Sequence, residues 1–448
     1  MIFSYSDYQE GLAAGLYVPP SAFRPFMQIK RSQYAALEEA YRDKGHDTYR
    51  AFQELRRRVG REFYWRCYPV QAQAMHYSQL AFPAYRFILP EVLADDWLAT
   101  VGWHKFNRDH VLHQPLTAYI VLKLLTGGGD SGQALMIDEG VSLLDACVDE
   151  VLKWQGTAYL RQFLLGIGVH ETEPWLNGSP MGRVLWKSLF VEAAYLAAIF
   201  HDMGYPWQYV NLLSNKLEHA GYLPDSPGAD AERLIEAFGD RLLFCPINGY
   251  RFLTRTAPAT WHHQLANITA KALRRTHGLP GAVGFLYLND ILREYPMDTI
   301  HPMRQFCVEW AAVAIMMHDM PKIYWGGDTA PPSNGHMRLR FSTDPLSSVI
   351  ALADVLEDFA RPVASFRDTG KSVEVNYRDG CDSTVLELHR TSAPRVMTIE
   401  YRFSNEDQFA KKRHWMPGEH REYFDTQHGY LDLSGAGIDR VDMFATRT

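Results

Sequence analysis

One segment constrains this chain more than any other: FVEAAYLAAIFHDMGYP, from Phe190 to Pro206, an apolar run that finishes on a charged pair. Between Leu185 and Phe200, the residues Phe190, Ala193, Ala194, Ala197 and Ala198 share one face at helical spacing, and Leu196 and Ile199 widen the stripe, which predicts a buried helix. Gly204 and Pro206 then stop it. His201 and Asp202 therefore belong to the last turn of an interior helix. A carboxylate there faces the negative end of the helix dipole, at a cost of a few tenths to about 1 kcal/mol. A bound divalent ion would offset that cost. So would an Asp turned to solvent beside a His that favours the dipole, and the pair alone does not choose between them.

The chain has 448 residues, 47% of them hydrophobic, enough for a sizeable core and more than one domain. A formal charge of -7 argues against bulk nucleic-acid binding, which needs a basic surface that releases counterions. No uncharged apolar window reaches the ~18 residues of a membrane helix, and MIFSYSDYQEGL carries neither a basic nor a long apolar leader region. A soluble, unexported protein with no membrane partner is expected. The five cysteines are scattered without CxxC spacing, which points away from disulfides and thiolate zinc and towards a reducing cytoplasm.

Residues 1–104 read as an N-terminal helical extension built on AALEEAYRDKGHDTYRAFQELRRRV. From 105 to 362, helical runs alternate with Gly/Pro-rich breaks, and this central part is expected to be helical throughout. From 363 to 448 the runs SVEVNY, STVLELHR, RVMTIEYRF and GYLDL predict a small β-rich region of four or five strands. The fold class expected is mainly α with that β-rich end. The stretch from Gly326 to Pro345 is either a lid or simple surface disorder. No internal repeat is evident.

Four further segments place His or Asp at the end or on the inner face of apolar helices. In RDHVLHQPLTAYIVLKLL, His110, His113, Thr117 and Ile120 share a face. His277 precedes Gly278 and a Gly/Ala-rich apolar run; His318-Asp319 ends another buried helix before Pro321; Asp354 interrupts the apolar face of Leu346, Ile350, Ala351 and Ala353. Each has an ordinary explanation, such as a hydrogen-bonded core histidine, a helix-capping histidine, or an Asp354–Arg361 pair. Their recurrence does not, because a lone buried carboxylate is expensive unless paired or coordinated. Imidazole and carboxylate without thiolate suit one or two ions of Mn, Fe, Mg, Ni, Co or Zn.

The ordered set His113, His201-Asp202, His277, His318, Asp354 resembles the HD superfamily of metal-dependent phosphohydrolases, H…HD…D on a helical bundle. RDHVLHQ, AAYLAAIFHDMGYP and IALADVLEDFARP are similar to its first-His, HD and last-Asp segments, over roughly residues 105–362. The resemblance implies an HD-type helical bundle in which His113, His201, Asp202 and Asp354 hold one ion. His277 and His318 match the additional histidines of two-metal members, such as the HD-GYP phosphodiesterases and CRISPR-associated HD nucleases, with Asp202 bridging both ions. His262-His263 is a rival source for the extra ligand, and His301 is expected to be peripheral. One departure is Tyr205, where many members carry the Lys of HDxGK.

The activity implied is hydrolysis of a phosphomonoester or phosphodiester of a nucleotide, cyclic nucleotide or short oligonucleotide by metal-activated water. Asp202, Asp319 and Glu192 are the candidate carboxylates for water and proton handling, although the last two could equally be salt-bridge partners. His110, Arg108, Arg274, Arg275 and Lys322 are candidate substrate contacts beside the ligands. Tyr205, Trp103, Trp207 or Trp325 could supply a platform for a base, with core packing as the competing role. The alternative is a non-catalytic nucleotide-binding sensor that acts through assembly, and a homo-oligomer is compatible with either.

Overall fold

Helices that are apolar on every side have to be core helices, and the centre of this protein is built from them. The computed structural model describes residues 1–13, 110–127, 133–153, 180–202, 204–205, 276–293, 302–319, 338–366, 373–378, 380–390, 394–427 and 429–448. Along the chain these form β1 (Ile2–Phe3), α1 (Tyr5–Ala13), α2 (His110–Thr126), β2 (Met136–Asp138), β3 (Val141–Ser142), α3 (Leu143–Lys153), α4 (Pro180–Phe200), α5 (Gly278–Arg293) and α6 (Pro302–Met317). Then come β4 (Leu339–Arg340), α7 (Pro345–Leu356), β5 (Arg361–Phe366), β6 (Val373–Arg378), β7 (Ser383–His389), β8 (Val396–Phe403), α8 (Glu406–Phe424), β9 (Leu431–Asp432) and β10 (Arg440–Arg447).

α4 is the central helix: every residue from Leu189 to Phe200 is buried. It packs on α2, α6, α7 and α3, and α6 packs in turn on α5. Trp186 and Phe190 of α4 meet Trp310 of α6 edge to face, with ring centroids 6.2 and 5.4 Å apart. Such pairs contribute about 0.5–1.5 kcal/mol each beyond their area. They also fix the two helices side by side, so that α4 and α6 deliver their C-terminal ends to the same place.

The rest of the architecture is mixed rather than mainly helical. Strands β1, β7, β8 and β10 form one sheet in that order, with β1 and β8 antiparallel to β7 and β10 parallel to β8. Alternate residues of β8, Met397, Ile399, Tyr401 and Phe403, are buried, as one buried sheet face requires. The parallel step from β8 to β10 needs a long crossover, and α8 supplies it. This corrects the expectation of strands alone over 363–448. EDQFAKKRHWMPGEHREYF has no apolar stripe and contains Pro417, so its helicity comes instead from Asn405, whose side chain caps the Gln408 amide, and from acidic residues in its first turn.

The apolar core continues across residue 362. Leu386, Met397, Ile399 and Tyr401 belong to the same buried cluster as the central helices, and so do Phe3 and Tyr8. α1 is tied to α2 through Asp7, which accepts from Tyr119 and Lys123. The remainder of the predicted N-terminal helical extension, and residues 326–337 of the stretch from Gly326 to Pro345, lie outside the described residues, while 338–345 hold β4 and the capped start of α7. Among the described residues, no helix is long and apolar enough to cross a membrane.

α7 is the element these arrangements hold most firmly. Asp344 caps its N-terminus by accepting from the Ser347 amide at 3.0 Å, and Pro345 opens its first turn. Upstream, β4 pairs in parallel with β9. At the other end, the Tyr401 hydroxyl donates to the Val355 carbonyl at 2.9 Å and the Thr384 hydroxyl to the Leu356 carbonyl at 3.1 Å. Carbonyls in the last turn have no intrahelical partner, and two strands of the sheet supply them.

Candidate metal centre

His201 and Asp202 follow the last residue of α4, and His318 and Asp319 follow the last residue of α6. The two ends are built alike. His201 Nδ1 donates to the Ala198 carbonyl at 2.7 Å, and His318 Nδ1 donates to the Ile315 carbonyl at 2.6 Å, each three residues back. A carbonyl can only accept, so both rings carry a proton on Nδ1 and turn Nε2 inward. The likeness extends to sequence: EAAYLAAIFHDM (192–203) and EWAAVAIMMHDM (309–320) align without a gap. They are identical at Glu192/Glu309, Ala194/Ala311, Ala197/Ala314, His201/His318, Asp202/Asp319 and Met203/Met320. This local repeat escaped the sequence reading because its copies are far apart and each reads alone as an ordinary apolar helix.

The other two imidazoles face these. His113, in the first turns of α2, lies with Nε2 3.1 Å from His201 Nε2 and 3.0 Å from Asp354 Oδ1 of α7. His277, immediately before α5, lies with Nε2 3.1 Å from His318 Nε2 and 2.9 Å from Asp202 Oδ1. The third sides are His201–Asp354, 3.8 Å, and His318–Asp202, 3.9 Å. Two nearly equal triangles of donor atoms result, His113/His201/Asp354 and His277/His318/Asp202, each able to hold a metal ion. Asp202 joins them: Oδ1 belongs to the second triangle, and Oδ2 lies 3.3 Å from His113 Nε2 in the first.

The donor set fits a divalent ion. Two atoms each about 2.1 Å from one ion stand roughly 3.0–4.2 Å apart at 90–180°, which spans the sides of both triangles save the 2.9 Å one, just below that range. Wherever two facing imidazoles are both neutral, their Nε2 lone pairs meet at 3.1 Å. Nothing within either pair relieves that repulsion except a proton or a cation. His113 takes the proton in the metal-free state. Burial opposes its charge, but Glu357, Asp354 and Asp202 together outweigh burial and raise its pKa to about 9. His318 is pushed the other way, to about 3, first by burial and then by His277 and His201.

Glu357, a residue the sequence reading passed over, is buried with Oε2 2.5 Å from His113 Nδ1. Its signal was its place one helical turn beyond Asp354. Asp319 does the same for His277: its Oδ2 lies 3.1 Å from Nδ1 and accepts from the His277 amide at 2.9 Å. This oxygen of Asp319 therefore orients the His277 imidazole. Tyr205 lies against the same imidazole. Its ring stacks on His277 with centroids 3.9 Å apart and an interplanar angle of 14°, so it braces the imidazole.

Two glycines permit this crowding. A Cβ on Gly204 would stand 1.9 Å from the His277 carbonyl oxygen, and one on Gly278 would stand 2.8 Å from the Ile315 and Met316 carbonyls. Glu192 is buried on α4 but is not brought to the cluster; it precedes His201 by about 13 Å along the helix axis and half a turn round. His110 begins α2, its side chain outside the described residues. Arg108, Arg274, Arg275, Lys322, His262, His263, His301, Trp103, Trp207 and Trp325 also lie outside them. The cluster is compatible with an HD-type site. No protein-family model, no curated protein and no solved structure matches the chain.

Proposed function

We propose that this protein is a metal-dependent phosphohydrolase that cleaves a phosphomonoester or phosphodiester of a nucleotide-type substrate. The observation that carries the reading is Asp202, which presents one oxygen to each of two matched His/His/carboxylate triangles. A divalent ion bound there supplies a lowered pKa for water and positive charge against a phosphoryl oxygen.

The chain's own residues do the rest. His201 and His318 are held by backbone carbonyls with Nε2 as the free donor. His113 and His277 are held by carboxylates behind them. Asp354 and Asp202 add the negative charge that favours a cation over a proton. Five of the six are buried and Asp354 is nearly so, its side chain 7% exposed, and in such a setting electrostatic interactions are strong. The sequence candidates for phosphate oxygens not met by the ions remain Arg108, Arg274, Arg275, Lys322 and His110, whose side chains lie outside the described residues.

Purified protein loaded with Mn should contain two ions per chain by elemental analysis. It should hydrolyse at least one member of a panel of nucleoside phosphates, cyclic nucleotides and short oligonucleotides. His201→Ala should lose activity by about 100-fold or more, since removing even a group behind a ligand typically costs 10–100-fold. Full metal loading with no hydrolysis across the panel would overturn the enzyme reading, and would favour a sensor that binds nucleotide without cleaving it.

A further inference from the structure

The two triangles match in shape but not in charge. The His113 half has a carboxylate of its own, Asp354, shares Asp202, and has Glu357 pressed against His113 from behind. Among the described residues, the His277 half has no carboxylate of its own beside its two imidazoles; it has the shared Asp202, and Asp319 behind His277. The local repeat explains the difference. Asp202 and Asp319 are equivalent residues, yet the first is turned into the centre while the second turns back to orient an imidazole. A carboxylate hydrogen-bonded to Nδ1 makes Nε2 a better donor and fixes its direction. Among the described residues, three carboxylates against two make the first half the stronger cation site, and an ion held there would draw on Asp202 and repel a second ion.

We propose that the two halves fill in order, the His113/His201/Asp354 half first, with Glu357 as the positioning residue for the first ion and Asp319 as the positioning residue for the second. This rests on the two-ion reading of the centre and adds to it an order and two residues that set it. Glu357 touches neither ion nor substrate; it acts through His113.

The test is a titration of the full-length, chelator-stripped protein with Co2+ in competition with a chromophoric chelator, following the visible Co2+ absorption. The wild type should bind in two resolved steps. Glu357→Gln keeps the size and the ability to accept from Nδ1 but removes the charge. It should weaken the first step by about 10–100-fold and leave the second within about threefold. Asp319→Asn should do the reverse. A merely structural role for either residue predicts a variant that melts at lower temperature with no change in either step. Two steps that ignore both substitutions, or a single step weakened equally by both, would overturn the order while leaving the metal centre standing. No uptake of Co2+ by the wild type would remove the centre and the order together. Should Glu357→Gln fail to fold, Asp319→Asn decides alone: a weakened first step contradicts the assignment, and a weakened second step supports it.

Discussion

Four imidazoles point their Nε2 atoms at one another from α2, α4, α5 and α6, and each is steered from behind, two by carbonyls and two by carboxylates. Without an ion the arrangement is held by a proton, which gives the metal-free protein a particular pH profile. His113 has a folded pKa of about 9, above its ordinary 6.5, so it contributes stability that is complete below pH 6.5 and lost as pH rises through 9. His318 has a folded pKa of about 3, so the unfolded chain takes up its proton first, and stability falls as pH drops below 6.5. Thermal melts of the stripped protein should therefore be highest near pH 6.5 and fall on both sides, and saturating Mn should flatten the alkaline arm. A stripped protein equally stable at pH 6.5 and 9 would contradict the His113 assignment. At this scale the clustered residues themselves were legible, because His and Asp on apolar helices conflict with their surroundings. The residues behind them were not. Whether Glu357 or Asp319 faces an imidazole, solvent or a Lys depends on how α7 docks on α2 and α6 on α5, and no spacing in the sequence encodes that.

Among elements, α7 carries both Asp354 and Glu357, and its last-turn carbonyls receive hydroxyls from β7 and β8. Tyr401→Phe keeps the ring in the core and removes one buried donor, leaving the Val355 carbonyl without it. The expected loss is about 1–3 kcal/mol, measured as a lower urea midpoint with an unchanged slope. A neutral result would mean that water replaces the hydroxyl. Strands β6, β7 and β8 were legible from their β-branched and aromatic content, and the helices α4, α6 and α7 from theirs. α8 and β10 were not. The first is a polar helix made by its cap and by the parallel crossover it must span, and the second is an edge strand whose outward residues Arg440, Asp442 and Phe444 leave a weak alternation.

For the molecule as a whole, the sheet draws on both ends of the described chain. β1 pairs with β7, β10 closes the far side, and the core runs without a break from Phe3 through the central helices to Met443. Sequence texture places a boundary after residue 362, where the pattern changes from helical runs to short strands, and buried residues on both sides of it belong to one apolar cluster. The clamp on α7 ties this sheet to the His/Asp cluster. Any ion that steadies Asp354 also steadies the helix end to which the Tyr401 and Thr384 hydroxyls are anchored. Ion binding should thus slow deuterium uptake at the backbone amides of β7 and β8, strands that supply no ligand, and the sheet becomes a distant gauge of whether the centre is filled.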